Sequence, residues 1–332
     1  MLYRDAGVDI NAMDAVKRRI AGIAGSTYGP QVLSEVGLFG SLYRVPRLID
    51  PVLVASCDGV GTKLVVARLC GRYDTVGIDI VNHSVNDILT LGARPLFFLD
   101  YIAHSDLEPE SLLAVVRGLG RACRKNGCSL VGGETAMMPD IYRPRDLDLA
   151  GFIVGAVARR KIIDATRIAP GDVAIGIPSS GLHTNGYSLA RRVLFGKAGL
   201  AVGSRVKGLS RPLGEELLRP HRSYLKSVYP LLSRVHALAH ITGGGFYGNI
   251  ARLLPREVSV VIRKSSWRPL PIFRIIQRLG DVPDEEMYRT FNMGMGMVLI
   301  AAAAQADRIL SSIPGSRAIG KVVRGTFGVS VI

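Results

Sequence analysis

Pro51-Val-Leu-Val-Ala55-Ser-Cys-Asp58-Gly59-Val-Gly61-Thr62-Lys63 is the stretch on which the reading of this chain turns. An apolar, β-type run ends in a carboxylate, two glycines, a hydroxyl and an ammonium. A strand that runs into such a turn can bring backbone N–H groups and Lys63 to phosphate oxygens while Asp58 holds a divalent cation. The turn is not a Walker A loop, which needs Gly-x4-Gly-Lys-Ser/Thr. By itself it fits an ordinary glycine bend equally well, and its weight comes from the residues that follow.

Downstream, acids fall at the ends of expected strands and helices: Asp79, Asp87 and Glu134, the last in Gly132-Gly133-Glu134-Thr135. Helix capping accounts for Asp87 taken alone. Several such acids beside glycine turns suit Mg2+ bound to nucleotide phosphates, an ion that takes one or two carboxylates together with waters and phosphate oxygens. A polar loop, Ser179-Ser-Gly-Leu-His183-Thr-Asn185-Gly186, precedes an expected helix, where free N–H groups receive phosphate or carboxylate. His183 there suits a base or a phosphate donor. Thr242-Gly243-Gly244-Gly245 permits close approach of backbone to a ligand. His236 and His240 have the spacing of paired metal ligands on a helix, but no third ligand accompanies them. Met293, Met295 and Met297 alternate with glycines and read as packing.

Strands are expected at 52–55, 76–81, 95–101, 129–132, 149–158, 173–177 and 258–261, and helices at 11–24, 82–91, 108–126 and 187–195. The charged segment 159–172, closed by Pro170-Gly-Asp172, divides residues 1–160 from 161–332. Both halves mix strands and helices, so the class is α/β or α+β in two domains. The 332 residues are enough for two cores. Four cysteines (Cys57, Cys70, Cys123, Cys128) show no zinc spacing and read as reduced thiols of a cytoplasmic protein. No apolar run approaches the roughly 20 residues of a spanning helix, so no membrane is expected. The formal charge of +15 is scattered without interleaved aromatics, which speaks against nucleic acid; a basic field that draws in polyphosphates and a generally basic composition both account for it, and the charge alone does not choose between them.

In order along the chain, these segments resemble the phosphoribosylformylglycinamidine cyclo-ligase family, also called aminoimidazole ribonucleotide synthetase. The matching stretches are Tyr3-Arg-Asp-Ala-Gly-Val-Asp-Ile10, Asp58-Gly-Val-Gly-Thr-Lys63, Gly77-Ile-Asp-Ile80, Val85-Asn-Asp87 and Pro95-Leu-Phe-Phe-Leu-Asp-Tyr101. They continue through Cys128-Ser-Leu-Val-Gly-Gly-Glu-Thr135, Ser179-Ser-Gly181, Asn185-Gly-Tyr-Ser-Leu189, Thr242-Gly-Gly-Gly-Phe246 and Met287-Tyr-Arg-Thr-Phe-Asn292. Departures lie at Met137, where members commonly carry a glutamate, at residues 21–28, which lack their lysines, and at Gly37-Leu-Phe-Gly40, which keeps only part of the pattern.

The resemblance implies an N-terminal domain that completes a β-barrel with its dimer mate, and a C-terminal α/β domain, with ATP and substrate meeting between them. It implies ATP-dependent closure of formylglycinamidine ribonucleotide to aminoimidazole ribonucleotide, with ADP and phosphate released. The runner-up is another ATP-using enzyme of the same superfamily, a small-molecule kinase or a dehydratase. Asp58, Asp87 and Glu134 would hold Mg2+, with Gly59, Gly61, Thr62 and Lys63 at the phosphates and Gly132 and Gly133 near the nucleotide. Ser180, His183, Asn185, Thr242, Gly243 and Gly244 would face substrate or phosphate, and Lys63 and His183 would act in catalysis. The partners expected are the small-molecule substrate and a second copy of the chain.

Overall fold

The structure, a computed structural model, describes residues 10–34 and 40–332. Most of the Tyr3-to-Ile10 motif and residues 37–39 therefore lie outside the described residues. The chain divides into two compact units, one of residues up to Ile88 with Ala93–Arg159, the other of Leu89–Gly92 with Arg160–Ile332.

In the first unit, α1 (Ile10–Gly25) precedes β1 (Pro51–Gly59), α2 (Lys63–Cys70) and α3 (Asp74–Thr90). Then come β2 (Arg94–His104), α4 (Pro109–Asn126), β3 (Ser129–Met137) and β4 (Leu147–Ala158). The strands form one sheet in the order β1-β4-β2-β3, with only the β2–β3 pair parallel.

The expected strand at 76–81 is instead the first half of α3. Val76, Ile80 and Val81 are wholly buried. A helix buried on all sides shows no polar stripe, so its apolar run can be mistaken for a strand. Two glycines let α3 lie against α4: a Cβ on Gly77 would stand 2.1 Å from the Val115 carbonyl, and one on Gly118 would stand 2.2 Å from that of Asp74. Helix α4 reads as the sequence suggests, burying Leu112, Leu113, Val115, Val116 and Leu119. Each such side chain contributes about 1.5–3 kcal/mol before chain entropy is counted.

One sheet face packs inward through Phe98, Ile102 and Ile153, all fully buried. The other face bears an apolar row in the register Cys57–Phe152–Leu99 and Leu53–Ala156. Leu53 is 59% exposed and Phe152 43%. Strand β1 has no neighbour on its outer edge among the described strands.

The second unit begins with β5 (Val173–Pro178), α5 (Tyr187–Arg191), a π-helical segment (Arg192–Lys197), and the short helices α6 (Leu213–Leu217) and α7 (Leu225–Val228). It continues through β6 (Ala237–His240), α8 (Gly245–Ala251), β7 (Val258–Ile262), α9 (Pro271–Gly280) and α10 (Asp284–Thr290). The chain ends with β8 (Met295–Ala301), α11 (Ala303–Ser312), β9 (Arg317–Arg324) and β10 (Gly328–Val331).

These strands make a six-stranded sheet, β10-β7-β9-β5-β8-β6, antiparallel except for β10 with β7. Strand β8 is buried at every position, which explains why Met295 and Met297 sit among apolar neighbours. Both faces of a central strand are covered here, so its sequence is continuously apolar instead of alternating. His240 closes a strand and His236 lies just before it, so the pair does not have the helical geometry of shared metal ligands. His236 Nδ1 instead meets Asp172 Oδ2 at 2.8 Å. All four cysteines are free. No helix among the described residues is long and apolar enough to cross a membrane.

Candidate functional site

In the first unit the acidic centre is built by the end of β1 and the middle of α3. Asp58 Oδ1 accepts a hydrogen bond from the Gly59 N–H at 2.7 Å, which fixes the carboxylate over its own turn. His83 Nε2 lies 2.7 Å from Asp58 Oδ2 and 3.3 Å from Asp87 Oδ2, so the two carboxylates converge on one atom. Asp87 follows His83 by one helical turn, the i,i+4 neighbour. Burial would lower the His83 pKa, but the hydrogen bonds to Asp58 and Asp87 and the charges of both carboxylates outweigh it and raise the pKa to about 10. Burial would raise Asp58, and the bond and charge of His83 together with the Gly59 N–H bring it below its ordinary value.

Lys63 opens α2 and does not reach outward. Its ammonium is fully buried, 2.7 Å from the equally buried Asp79 Oδ2 on α3. Burial lowers the Lys63 pKa against the pull of Asp79. The ion pair therefore pins the glycine turn to α3. Gly61 adopts φ of 68°, the left-handed region that lets the chain pass from β1 into α2.

Glu134, with Gly132 and Gly133, lies on β3, at the opposite edge of the sheet from β1. The rung Gly59–Ala150–Tyr101–Glu134 spans three strand spacings, about 14 Å at ~4.8 Å each. Within one chain, Glu134 and Asp58 cannot ligate one Mg2+, whose bonds are about 2.0–2.1 Å. Asp58 and Asp87 are the better pair for such an ion: His83 holds the two carboxylates side by side through one oxygen of each, Asp58 is half-exposed, and lone pairs not directed at the imidazole can face a cation.

In the second unit three segments distant in sequence make a second centre. Ser179 Oγ lies 2.9 Å from both Gly181 O and Asn292 Oδ1, its single proton serving one at a time, and the Ser179 N–H donates to Gly294 O at 2.8 Å. Asn292 Nδ2 donates to Gly181 O at 3.0 Å and Leu182 O at 3.2 Å. The Ser180 N–H donates to His183 Nε2 at 3.1 Å, and Ser180 Oγ to Pro220 O at 2.5 Å. Asn249 Nδ2 donates to the carbonyls of Thr242, Gly243 and Gly245 at 3.3, 3.2 and 2.8 Å, which shapes the glycine turn from beneath.

The two loops meet at Asn185 and Gly243, where an added Cβ would stand 3.3 Å from Asn185 Oδ1. Gly245 has φ of 55°, and a Cβ there would fall 2.0 Å from the Tyr288 carbonyl. The Met287-to-Asn292 motif is thus a buttress under both loops.

His183 belongs to a buried histidine cluster with His221 and His240. Its own φ of 66° is a left-handed conformation. The His183 and His221 rings stack with centroids 3.9 Å apart and planes 23° apart. His221 Nε2 lies 3.0 Å from His240 Nε2, and His221 Nδ1 lies 3.3 Å from Thr184 Oγ1. Stacked imidazoles direct their in-plane lone pairs in parallel, so they do not converge on one metal ion. The Nε2 lone pair of His183 already receives Ser180 N–H. The arrangement therefore does not suit a metal ion: His221 and His240 share one proton through their Nε2 atoms, and His183 stacks on the pair.

The sequence pattern pointed to Asp58, Asp87 and both loops, but not to His83, His221, Asn249 or Asn292 in these positions. The available signal for His83 was its i,i+4 spacing to Asp87, both of which fall within the expected helix 82–91. That Asp58, from the end of β1, reaches the same imidazole depends on packing between distant segments and has no local signal.

The fold is that of the two-domain AIR synthase related proteins. The family model "AIR synthase related protein, N-terminal domain" matches residues 45–157, and the C-terminal domain model matches 169–332. The phosphoribosylformylglycinamidine cyclo-ligase of Trichlorobacter lovleyi is 49% identical over 317 residues, covering 94% of this chain and 91% of that protein. That of Pseudothermotoga lettingae is 47% identical over 335 residues, 99% of each. Among solved structures, thiamine-monophosphate kinase from Stenotrophomonas maltophilia superposes with a TM-score of 0.68 at 20% identity, over 98% of this chain and 96% of that one. E. coli HypE superposes at 0.67 and 19%, over 95% and 93%. At those identities the structures show the shared fold. The chain belongs to the phosphoribosylformylglycinamidine cyclo-ligase family.

Proposed function

We propose that this chain closes the imidazole ring of aminoimidazole ribonucleotide from formylglycinamidine ribonucleotide, consuming ATP and releasing ADP and phosphate. The observation that carries the reading is kinship along the whole chain with cyclo-ligases, 47% identity over 99% of both proteins. The formamide oxygen takes the γ-phosphoryl group, an amidine nitrogen attacks the activated carbon, and phosphate leaves. Phosphoryl transfer asks of a protein mainly positioning and charge neutralisation.

The first unit, within 1–160, would be the nucleotide side. Asp58 and Asp87 would hold Mg2+, which supplies charge neutralisation at the phosphates when bound. His83 keeps the two carboxylates together. Gly59, Gly61 and Thr62 would offer backbone to the phosphates. Lys63 braces the turn through Asp79 and does not itself meet phosphate in the observed arrangement. Glu134, with Gly132 and Gly133, would act apart from the Asp58 ion.

The second unit, within 161–332, would be the substrate side. Ser180, Asn185, Thr242, Gly243 and Gly244 would receive substrate and its phosphate. His183 would shape the Ser180 loop, since its Nε2 already accepts the Ser180 N–H, and the proton that the amidine nitrogen loses would leave with the released phosphate.

A homodimer is part of the proposal. Leu53, Cys57, Phe152 and Leu99 present an apolar face beside the open edge of β1, and a second copy would cover both and close the sheet into a barrel. Four free thiols suit a cytoplasmic setting.

The test is an assay of the pure protein with formylglycinamidine ribonucleotide, ATP and Mg2+, scored by aminoimidazole ribonucleotide and ADP formed together. ATP turnover without ring closure, or phosphate transfer to thiamine monophosphate instead, would sink the reading. Light scattering tests the dimer: a mass of 35.7 kDa that does not rise on concentration rejects it.

A further inference from the structure

One cavity of the second unit lies outside all the chemistry above. It has a volume of about 810 Å3 and is lined in part by Lys207, Arg268, Leu270, Arg274, Ile275 and Arg278. That size is within the range of small-ligand sites, about 300–1,000 Å3. Four of its lining side chains are cationic and none is acidic. Among the described residues, none of the four forms a hydrogen bond or an ion pair. Arg274 and Arg278 stand one turn apart on α9, a spacing at which like charges repel.

The other sizeable basic cavity makes a useful contrast. It holds Arg160, Lys161 and Arg167, but Asp164 lies among them and Arg167 donates to the Val235 carbonyl. Its charge is answered internally, whereas that of the α9 cavity is not.

The wall of the α9 cavity is also tied to the loops of the proposed substrate side. Arg268 follows Trp267, whose Nε1 donates to Met293 O at 2.9 Å. Trp267 stacks on Phe246, directly after the glycine triplet, with centroids 5.6 Å apart. Leu270 adjoins Gly294, whose carbonyl receives the Ser179 N–H.

The geometry points to this cavity as a binding site for a nucleoside polyphosphate, separate from the Asp58 centre. The phosphates lie among Lys207, Arg274 and Arg278, where unpaired cations in a concave wall concentrate the field. The base lies on the apolar floor of Leu270 and Ile275. The concave shape and the single apolar floor favour a small molecule over a nucleic-acid strand, which needs a track of cations with aromatics for successive bases. The proposal does not depend on the ring-closure reading, because its test measures binding without turnover.

Trp267 is the only tryptophan of the chain and so reports on this wall. The full-length protein is titrated, without divalent cations, with inorganic tripolyphosphate, GTP and a ten-nucleotide RNA. Trp267 emission and calorimetry are followed. GTP is expected to saturate one site per chain, at least tenfold more tightly than tripolyphosphate, and to change the emission. Arg274→Glu with Arg278→Glu should weaken both ligands at least tenfold. Lys207→Glu, on a separate loop, should weaken them severalfold even if the helix variant does not fold. Asp58→Asn should leave both affinities unchanged.

Absence of saturable binding, indifference to both charge reversals, or loss of binding in Asp58→Asn overturns the site. Equal affinity for GTP and tripolyphosphate overturns the nucleoside assignment. RNA binding more tightly than GTP overturns the small-molecule assignment.

Discussion

The two centres are built on opposite principles. In the first unit, charged side chains on regular elements hold one another: His83 with Asp58 and Asp87, and Lys63 with Asp79. In the second, loops are held by uncharged amide side chains, Asn249 under the glycine turn and Asn292 under the Ser179 loop. Charge placed on strand and helix suits phosphoryl transfer, where fixed electrostatics are worth most. Amide-braced loops suit recognition, because they leave backbone donors facing a ligand while their own carbonyls are satisfied. The difference teaches that the first centre is tuned by ion pairs and the second by hydrogen-bond geometry.

The comparison breaks most sharply at Lys63. Lys63→Met leaves the Asp79 carboxylate buried without the ammonium, and a loss of about 3–5 kcal/mol in urea unfolding is expected. Lys63→Met with Asp79→Leu should recover most of that loss, since a well-packed apolar pair replaces a buried ion pair at little cost. If the double variant folds and keeps turnover, Lys63 is a brace. A stable but inactive double variant would return Lys63 to the phosphates.

At Asp58 the effect should fall on rate more than on folding. Asp58→Asn keeps an acceptor for the Gly59 N–H but removes charge from the proposed metal site and from beside His83, so kcat should drop about 10²–10³-fold while the melting temperature falls only modestly. Near-normal turnover at limiting Mg2+ would reduce Asp58 to a turn former.

The second unit should respond in the opposite way. Asn292→Ala deprives Ser179 Oγ and the Gly294 N–H of an acceptor and the Gly181 and Leu182 carbonyls of a donor, all in a buried setting. A loss of about 2–3 kcal/mol is expected from unmet buried polar groups, together with a rise in KM as the loop loosens. An altered kcat with unchanged KM and stability would contradict the division of roles.

A further comparison concerns pH. The folded-state pKa of His83 is raised from 6.5 to about 10, so its stabilising contribution is full below 6.5 and is lost as pH rises through 10. Asp58 is shifted downward, so its part is present above its ordinary 3.8 and is lost as pH falls through its lowered value. The difference in urea midpoint between the natural protein and His83→Gln should shrink steadily above pH 6.5 and vanish above about 10. A difference that stays flat over that range would show that His83 acts by packing alone.

Much of this molecule was legible before its structure. The β1 turn, Asp87, helix α4 and the polar and glycine-rich loops each rest on a local cause: an apolar run ending in glycine, a one-sided stripe, or small residues where backbone must pass closely. The first half of α3 was not legible, because burial on every side erased the periodicity that distinguishes helix from strand. Glu134 shared a motif logic with Asp58, yet strand order set three spacings between β1 and β3, and strand order is not a local property.

The sequence alone therefore determined the two mixed α/β halves, the location of their glycine turns and the family to which they belong, since each follows from residues close in the chain. Only the tertiary structure decided that Lys63 turns inward to Asp79, that His83 joins Asp58 to Asp87, and that Asn249 and Asn292 hold the second centre. Those outcomes depend on which buried charges and amides find partners when distant segments pack, and burial makes each unpaired group costly enough to settle the choice.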